Sequence, residues 1–270
     1  MGTISKIREK FSNNRWQIED SYGHSTFGRY CSMMEGLRYP QEQNLILELT
    51  DRFLKLDFDE YEAYLLYSVK NLFQDTPNSN MHIVPMLAAK DTGKVKSSML
   101  ITYRFKGDRM KTLSAYNGQV LKVYDSIDTL PKELDEGDIV LLVDDFIGTG
   151  ETANNAIKYL MDINSNVTTT QILILSLVSL KTGIDLIESN GIKTYSSVIL
   201  GKGISDYYTQ PKKINYLSII KNIENRIKVS EKFQLGYMQS EALVSMIRTP
   251  NNTFPIFWKN NNTAVAPFPR

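Results

Sequence analysis

The reading of this chain turns on residues 138–152, DIVLLVDDFIGTGET. The apolar run 139–143 is long enough for one buried strand and too short for a core helix. Two adjacent carboxylates, Asp144 and Asp145, end it. A loop with two glycines and two threonines follows, and then Ala153, Ala156, Ile157, Leu160 and Met161 recur at helical spacing to about Asp162. Gly148 and Gly150 admit positive backbone torsions and let a ligand approach the main chain. Successive N–H groups there, backed by a helix N-terminus, suit an anion. Thr149 and Thr152 add hydroxyls and are candidate caps. Neighbouring carboxylates repel unless something divides their charge, as a diol with a nearby divalent cation does. The stretch therefore reads as a ribose-phosphate site, with the loop for a monophosphate and the acids for sugar hydroxyls. A strand followed by a capped helix with merely exposed acids is the plain alternative, and it leaves the whole string unexplained. A P-loop is excluded because no lysine lies in the loop, and the glycine spacing is not that of a dinucleotide fingerprint.

VLLVDDFIGTGET resembles the signature of the type I phosphoribosyltransferases, which bind phosphoribosyl pyrophosphate (PRPP). The resemblance implies that Asp144 and Asp145 hold the ribose 2′- and 3′-hydroxyls and act in catalysis. It makes Gly148, Thr149, Gly150, Glu151 and Thr152 the cradle of the 5′-phosphate. It also implies Mg²⁺, bound mainly through PRPP oxygens and water, so no protein ligand to the metal is named.

Working outward, MHIVPML (81–87) reads as the first core strand, with His82 a packed histidine rather than a catalyst. The loop AAKDTGKVKSS (88–98) follows it. In the type I family the loop at this position binds pyrophosphate through main-chain N–H groups and a basic side chain. Carried over, Ala88 and Ala89 permit close approach, Lys90 and Lys94 neutralise the leaving group, and Gly93 allows the turn; a basic surface loop is the alternative. A helix is expected over 97–105 and a strand over 119–124. The family's long mobile loop has no clear counterpart, although Arg104, Lys106, Arg109 and Lys111 form a basic cluster in the right region.

QILILSLVSL (171–180) is a near-continuous apolar run of the kind buried on both faces of a sheet. A helix over 181–190 ends at Gly191, a suitable C′ residue, and another strand covers 193–200. Strand–loop–helix alternation from 81 to 200 predicts an α/β fold with a doubly wound, mainly parallel sheet, whose ligands bind at the carboxyl ends of the strands. Upstream, helices are expected over 41–56 and 59–73. The expected organisation is a helical N-terminal cap (1–80), a phosphoribosyltransferase-like core (81–208) and a C-terminal extension packed on the core (209–270). Asp206, Tyr207 and Tyr208 are the candidate acceptor pocket. A helix over 216–230, a short helix over 241–248 and a frayed asparagine-rich end are expected beyond. The segment TPNNTFPIFW (249–258) resembles a C-terminally extended branch of phosphoribosyltransferase-like proteins found in bacterial conflict and antiphage systems. There Phe254, Phe257 and Trp258 are expected to pack on the core, a partner surface being the alternative.

The 270 residues are 42% hydrophobic and 23% charged, enough for a sizeable core. A net charge of +1 does not indicate nucleic acid or an acidic membrane as partner. The single cysteine, Cys31, excludes an internal disulfide and fits a reducing compartment. No apolar run approaches the ~20 residues needed to span a bilayer, and MGTISKIREKF carries no signal-peptide core, so the cytoplasm is the expected location. Function narrows to two classes. The first is an enzyme that transfers the ribosyl group of PRPP to a base, nucleotide or other acceptor with loss of pyrophosphate. The second is a non-catalytic nucleotide-sensing regulator, or a subunit of a defence assembly. A homodimer is the family's common state.

Overall fold

A computed structural model describes residues 2–19, 25–91 and 93–270. Along the chain these form α1 (Thr3–Asn13), α2 (Thr26–Glu35), α3 (Pro40–Thr50), β1 (Leu54–Lys55), α4 (Tyr61–Asp75), β2 (Asn80–Pro85), α5 (Ser97–Arg104), α6 (Asp108–Tyr116), β3 (Val120–Val123), β4 (Asp138–Ile147), α7 (Glu151–Ile163), β5 (Ile172–Leu180), α8 (Lys181–Glu188), β6 (Lys193–Leu200), α9 (Lys212–Arg226) and β7 (Val244–Ser245), with short 3₁₀ turns between them. Two compact units result: Met1–Phe58 with Gly201–Arg270, and Asp59–Leu200. This differs from three consecutive segments, since α4 belongs with the sheet and the two chain ends share a unit.

In the second unit five parallel strands lie in the order β3-β2-β4-β5-β6, as an α/β sheet read from alternating elements requires. The chain steps from β2 outward to β3, then returns to the other side of β2 and continues through β4, β5 and β6. The order therefore reverses between β2 and β4, which opens a crevice at their carboxyl ends. All nine residues of β5 are buried, as its apolar run demands. One sheet face meets α7 through Ala153, Ala156, Ile157 and Leu160, packed with Val140, Leu142, Ile172 and Ile174. His82 is buried, with Nε2 2.9 Å from Asp138 Oδ2 and Nδ1 3.1 Å from the Tyr124 hydroxyl.

The first unit has its own core. Phe11, Trp16, Tyr30, Phe53, Phe254, Phe257 and Phe268 share it, and the Phe53 and Phe268 rings stack at 4.9 Å. Core packing of Phe254 and Phe257 is thus realised within this unit; the Trp258 indole donates to the Thr253 carbonyl at 2.7 Å. Arg29 donates to the Ala266 carbonyl. Three expectations are corrected here. The helix expected over 41–56 stops at Thr50, because Leu54 and Leu56 N–H groups donate to Leu243 and Ser245 carbonyls in the β1–β7 pairing. Residues 241–248 are not a helix: Glu241 has φ +51°, and its buried carboxylate accepts from Ile204 and Ser205 N–H. Nor is the end frayed, since Asn261 and Ala264 bridge and Ala266 and Phe268 are buried. Among the described residues no helix is long and apolar enough to cross a membrane.

Candidate functional site

β4 runs farther than the apolar stretch suggests and carries both acids within its carboxyl end. Val140 to Val143 are fully buried and paired on both sides, with β2 and β5, so the acids are delivered to the crevice at a fixed place. Asp145 is 7% exposed and accepts the Tyr61 hydroxyl from α4 at 2.9 Å. Asp144 Oδ1 accepts the Ser97 hydroxyl from the first turn of α5 at 3.1 Å and the Asp145 N–H at 2.8 Å. Burial, and then the neighbouring Asp145 carboxyl, push the Asp144 carboxyl well above the ordinary carboxylate range.

The loop Gly148–Thr149–Gly150 follows. Gly150 is the N-cap of α7 at φ +82°, a left-handed conformation suited to glycine. Having no side chain, it makes no side-chain cap, which corrects the expectation that Thr149 or Thr152 caps the helix. No side-chain cap hydrogen bond forms at this helix N-terminus. Glu151 and Thr152 are exposed on that turn. The loop is held from behind by α8. A Cβ on Gly183 would lie 2.3 Å from the Gly148 carbonyl oxygen, and one on Gly150 would lie 2.9 Å from the Gly183 carbonyl oxygen. Gly183 was missed by sequence reading; a glycine one turn inside a helix was its only local signal.

The loop after β2 approaches from the other side of the switch point. Ala88 is buried and its carbonyl accepts the Asp91 N–H at 2.8 Å, while Ala89 is exposed. Gly93 turns the chain at φ +80°. The side chain of Lys90 lies outside the described residues. Lys94 and Lys96 converge on Asp91 Oδ1 at 3.1 and 3.3 Å. Burial alone would raise the Asp91 carboxyl, but the hydrogen bonds from Lys94 and Lys96 outweigh it and hold it below the ordinary range. The turn Ala89–Asp91 packs on α7, and a cavity of about 310 Å³ lies between Ala88, Ala89 and the α7 residues Asn155, Lys158, Tyr159 and Asp162.

Two sets of predicted residues are therefore gathered in one unit: 144–152, and the loop of Ala88, Ala89 and Lys94. Asp206, Tyr207 and Tyr208 belong to the other unit, where local contacts engage them. Asp206 Oδ2 accepts the Lys202 N–H at 2.8 Å. Arg52 lies 3.5 Å over the Tyr207 ring, which is 60% exposed, and the Tyr208 hydroxyl donates to Glu48 at 2.8 Å. The basic cluster expected near the mobile loop lies at the junction of α5 and α6, where Arg109 pairs with Glu62 at 3.1 Å.

A parallel sheet whose switch point carries an acid pair and a glycine–threonine loop has the architecture of a phosphoribosyltransferase-like protein. The PRTase-CE family model matches residues 43–270, and the chain belongs to that family, a C-terminally extended branch of the phosphoribosyltransferases. Among solved structures it is similar to APRTase from Giardia lamblia complexed with 9-deazaadenine, at 15% identity and TM-score 0.35, covering 52% of this chain and 79% of that one. It is also similar to orotate phosphoribosyltransferase from Mycobacterium tuberculosis H37Rv in complex with PRPP (16%, TM-score 0.30, covering 62% and 94%). A third is a hypothetical protein from Neisseria gonorrhoeae with bound ppGpp (13%, TM-score 0.33, covering 55% and 85%). No curated protein matches the chain.

Proposed function

We propose that this chain binds PRPP, or a related ribose 5-phosphate, at Asp144, Asp145 and residues 148–152, and transfers the ribosyl group to an acceptor with loss of pyrophosphate. One observation carries the reading: an acid pair and a helix N-terminus with glycine as its N-cap leave the same strand beside the switch point. In this reaction the bond from C1 to the pyrophosphate oxygen breaks, pyrophosphate leaves with the electron pair, and C1 bonds to the acceptor nucleophile, which loses its proton. Positive charge grows on the sugar ring, and Asp144 and Asp145 support it while holding the ribose hydroxyls. N–H groups of the Ala88–Ala89 turn, with Lys90 and Lys94, would stabilise the leaving group. Mg²⁺ neutralises diphosphate charge when bound. Among the described residues no cluster of three or more His, Cys, Asp or Glu side chains could hold a metal.

Calorimetric titration with PRPP, with and without Mg²⁺, tests the site, and pyrophosphate release over a panel of bases and nucleotides tests the chemistry. Asp144→Asn with Asp145→Asn is expected to abolish binding and leave the fold intact; unchanged PRPP affinity in that variant sinks the assignment.

A second reading is a non-catalytic nucleotide-sensing regulator or a subunit of a bacterial antiphage defence complex, with protein partners or a second copy of the chain. The ion pairs of Lys94 and Lys96 with Asp91 favour it, because cations already neutralised are poorer leaving-group partners. Magnesium-dependent binding without pyrophosphate release would select this reading.

A further inference from the structure

The acid pair lies in one motif, but the side chains that hold it come from two other helices, and they are not equivalent. Tyr61 opens α4 and is 2% exposed. Its helix is anchored to the sheet: Ser68 Oγ donates to the Ser176 carbonyl at 2.9 Å and shares a 2.8 Å bond with Ser197 Oγ, while Leu65, Val69, Leu72 and Phe73 are buried. The hydroxyl that meets Asp145 therefore projects from a fixed platform. Ser97 opens α5, which packs on β4 and β2, but unlike Tyr61 it is exposed, so its bond to Asp144 is open to solvent.

A tyrosine O–H aimed at a carboxylate fixes one rotamer. We propose that Tyr61 is a positioning residue that presets Asp145 as the fixed hydroxyl acceptor of the pair, whereas Asp144, less buried and met by an exposed serine, is the more open of the two to an entering ligand. The ligand in this statement rests on the ribose-phosphate reading above; the Tyr61–Asp145 bond does not. A consequence is that Tyr61 acts on the sugar end of the ligand alone. The phosphate end is met by residues 148–152, on the loop after β4 and the first turn of α7.

Tyr61→Phe removes the hydroxyl and keeps the buried ring. The expected result is Mg·PRPP affinity about tenfold weaker, with inorganic phosphate bound as in the wild type; a merely structural role would weaken both. The ligand-free protein gives an independent measure, the ¹³Cγ signal of Asp145 at fixed pH, which should move when the hydroxyl donor is lost. A signal unmoved in folded Tyr61→Phe, or equal losses for PRPP and phosphate, overturn the proposal. Should Tyr61→Phe not fold, the Tyr61 ¹³Cζ signal compared between wild type and Asp145→Asn reads the same bond from the other side, and an unchanged signal overturns it. A wild-type chain that fails to bind Mg·PRPP while the Asp145 signal still moves in Tyr61→Phe overturns the ribose-phosphate reading and leaves the positioning role standing.

Discussion

Gly183→Ala tests whether the phosphate loop owes its shape to α8. The added methyl would sit 2.3 Å from the Gly148 carbonyl oxygen, 3.2 Å from its carbon and 3.0 Å from Ile147 Cγ2. That is short of ordinary contact by roughly 1 Å. The first two are backbone atoms and cannot swing aside, and α8 is held to the core by Ile184 and Ile187. Either the helix or the loop must move. Overpacking of this kind costs about 1–3 kcal/mol, a fall in melting temperature of roughly 2–4 °C per kcal/mol in a chain of this size. The same displacement carries loop N–H groups from hydrogen-bond distance to nearly 4 Å from a phosphate oxygen, and loss of one charge-assisted bond weakens affinity about tenfold or more. Gly191→Ala is the control: φ is +77° but no atom lies within 4 Å of the added carbon, so it costs about 1–2 kcal/mol of backbone strain and leaves affinity unchanged. The assays are thermal unfolding and calorimetric titration with Mg·PRPP. A Gly183→Ala protein that melts and binds like the wild type would refute the argument that close packing by α8 shapes the site.

Two further predictions concern the first unit. Glu224 is fully buried on α9; Oε2 accepts the Leu235 N–H at 2.8 Å and Oε1 has no partner among the described residues. Burial raises its pKa from the usual 4.5 to about 8. The folded chain thus binds this proton more tightly than the unfolded one, and stability should fall as pH rises from 4.5 to about 8, by up to ~1.4 kcal/mol per unit, then level off. Glu224→Gln should flatten that dependence, and superimposable melting profiles of the two proteins across this range would count against it. Phe257→Ala removes a fully buried ring 4.7 Å from Phe53 and should cost about 3–5 kcal/mol in denaturant unfolding; a cost below about 1 kcal/mol would mean the tail is surface rather than core.

What was legible in the sequence was what is local. Residues 139–143 and 171–180 announce buried strands because nothing but a sheet interior accommodates such runs, and the acid pair and its glycines follow in a fixed covalent order. Once β4 is a strand and α7 a helix, Asp144 and Gly150 must fall at its carboxyl end. What was not legible depends on closure through space. Residues 241–248 have a helix-compatible composition, yet a buried Glu241 carboxylate takes two N–H groups from 204 and 205 and the segment becomes a strand partner of Leu54 and Lys55. The asparagine-rich end looked loose because its anchors, Trp16 and Phe53, lie more than 200 residues upstream of Phe268. Tyr61 escaped notice in the same way, 84 residues before the carboxylate it meets. The division has a physical cause. A strand–loop–helix motif needs only its own residues to set the positions of its functional groups, but beside the one local bond from the Asp145 N–H to Asp144, the side-chain hydrogen bonds that distinguish the two carboxyls come from other helices, from Tyr61 to Asp145 and from Ser97 to Asp144. Selectivity within the pair is therefore a tertiary property, and variants of Tyr61 and Ser97 can alter it without touching the motif that identifies the site.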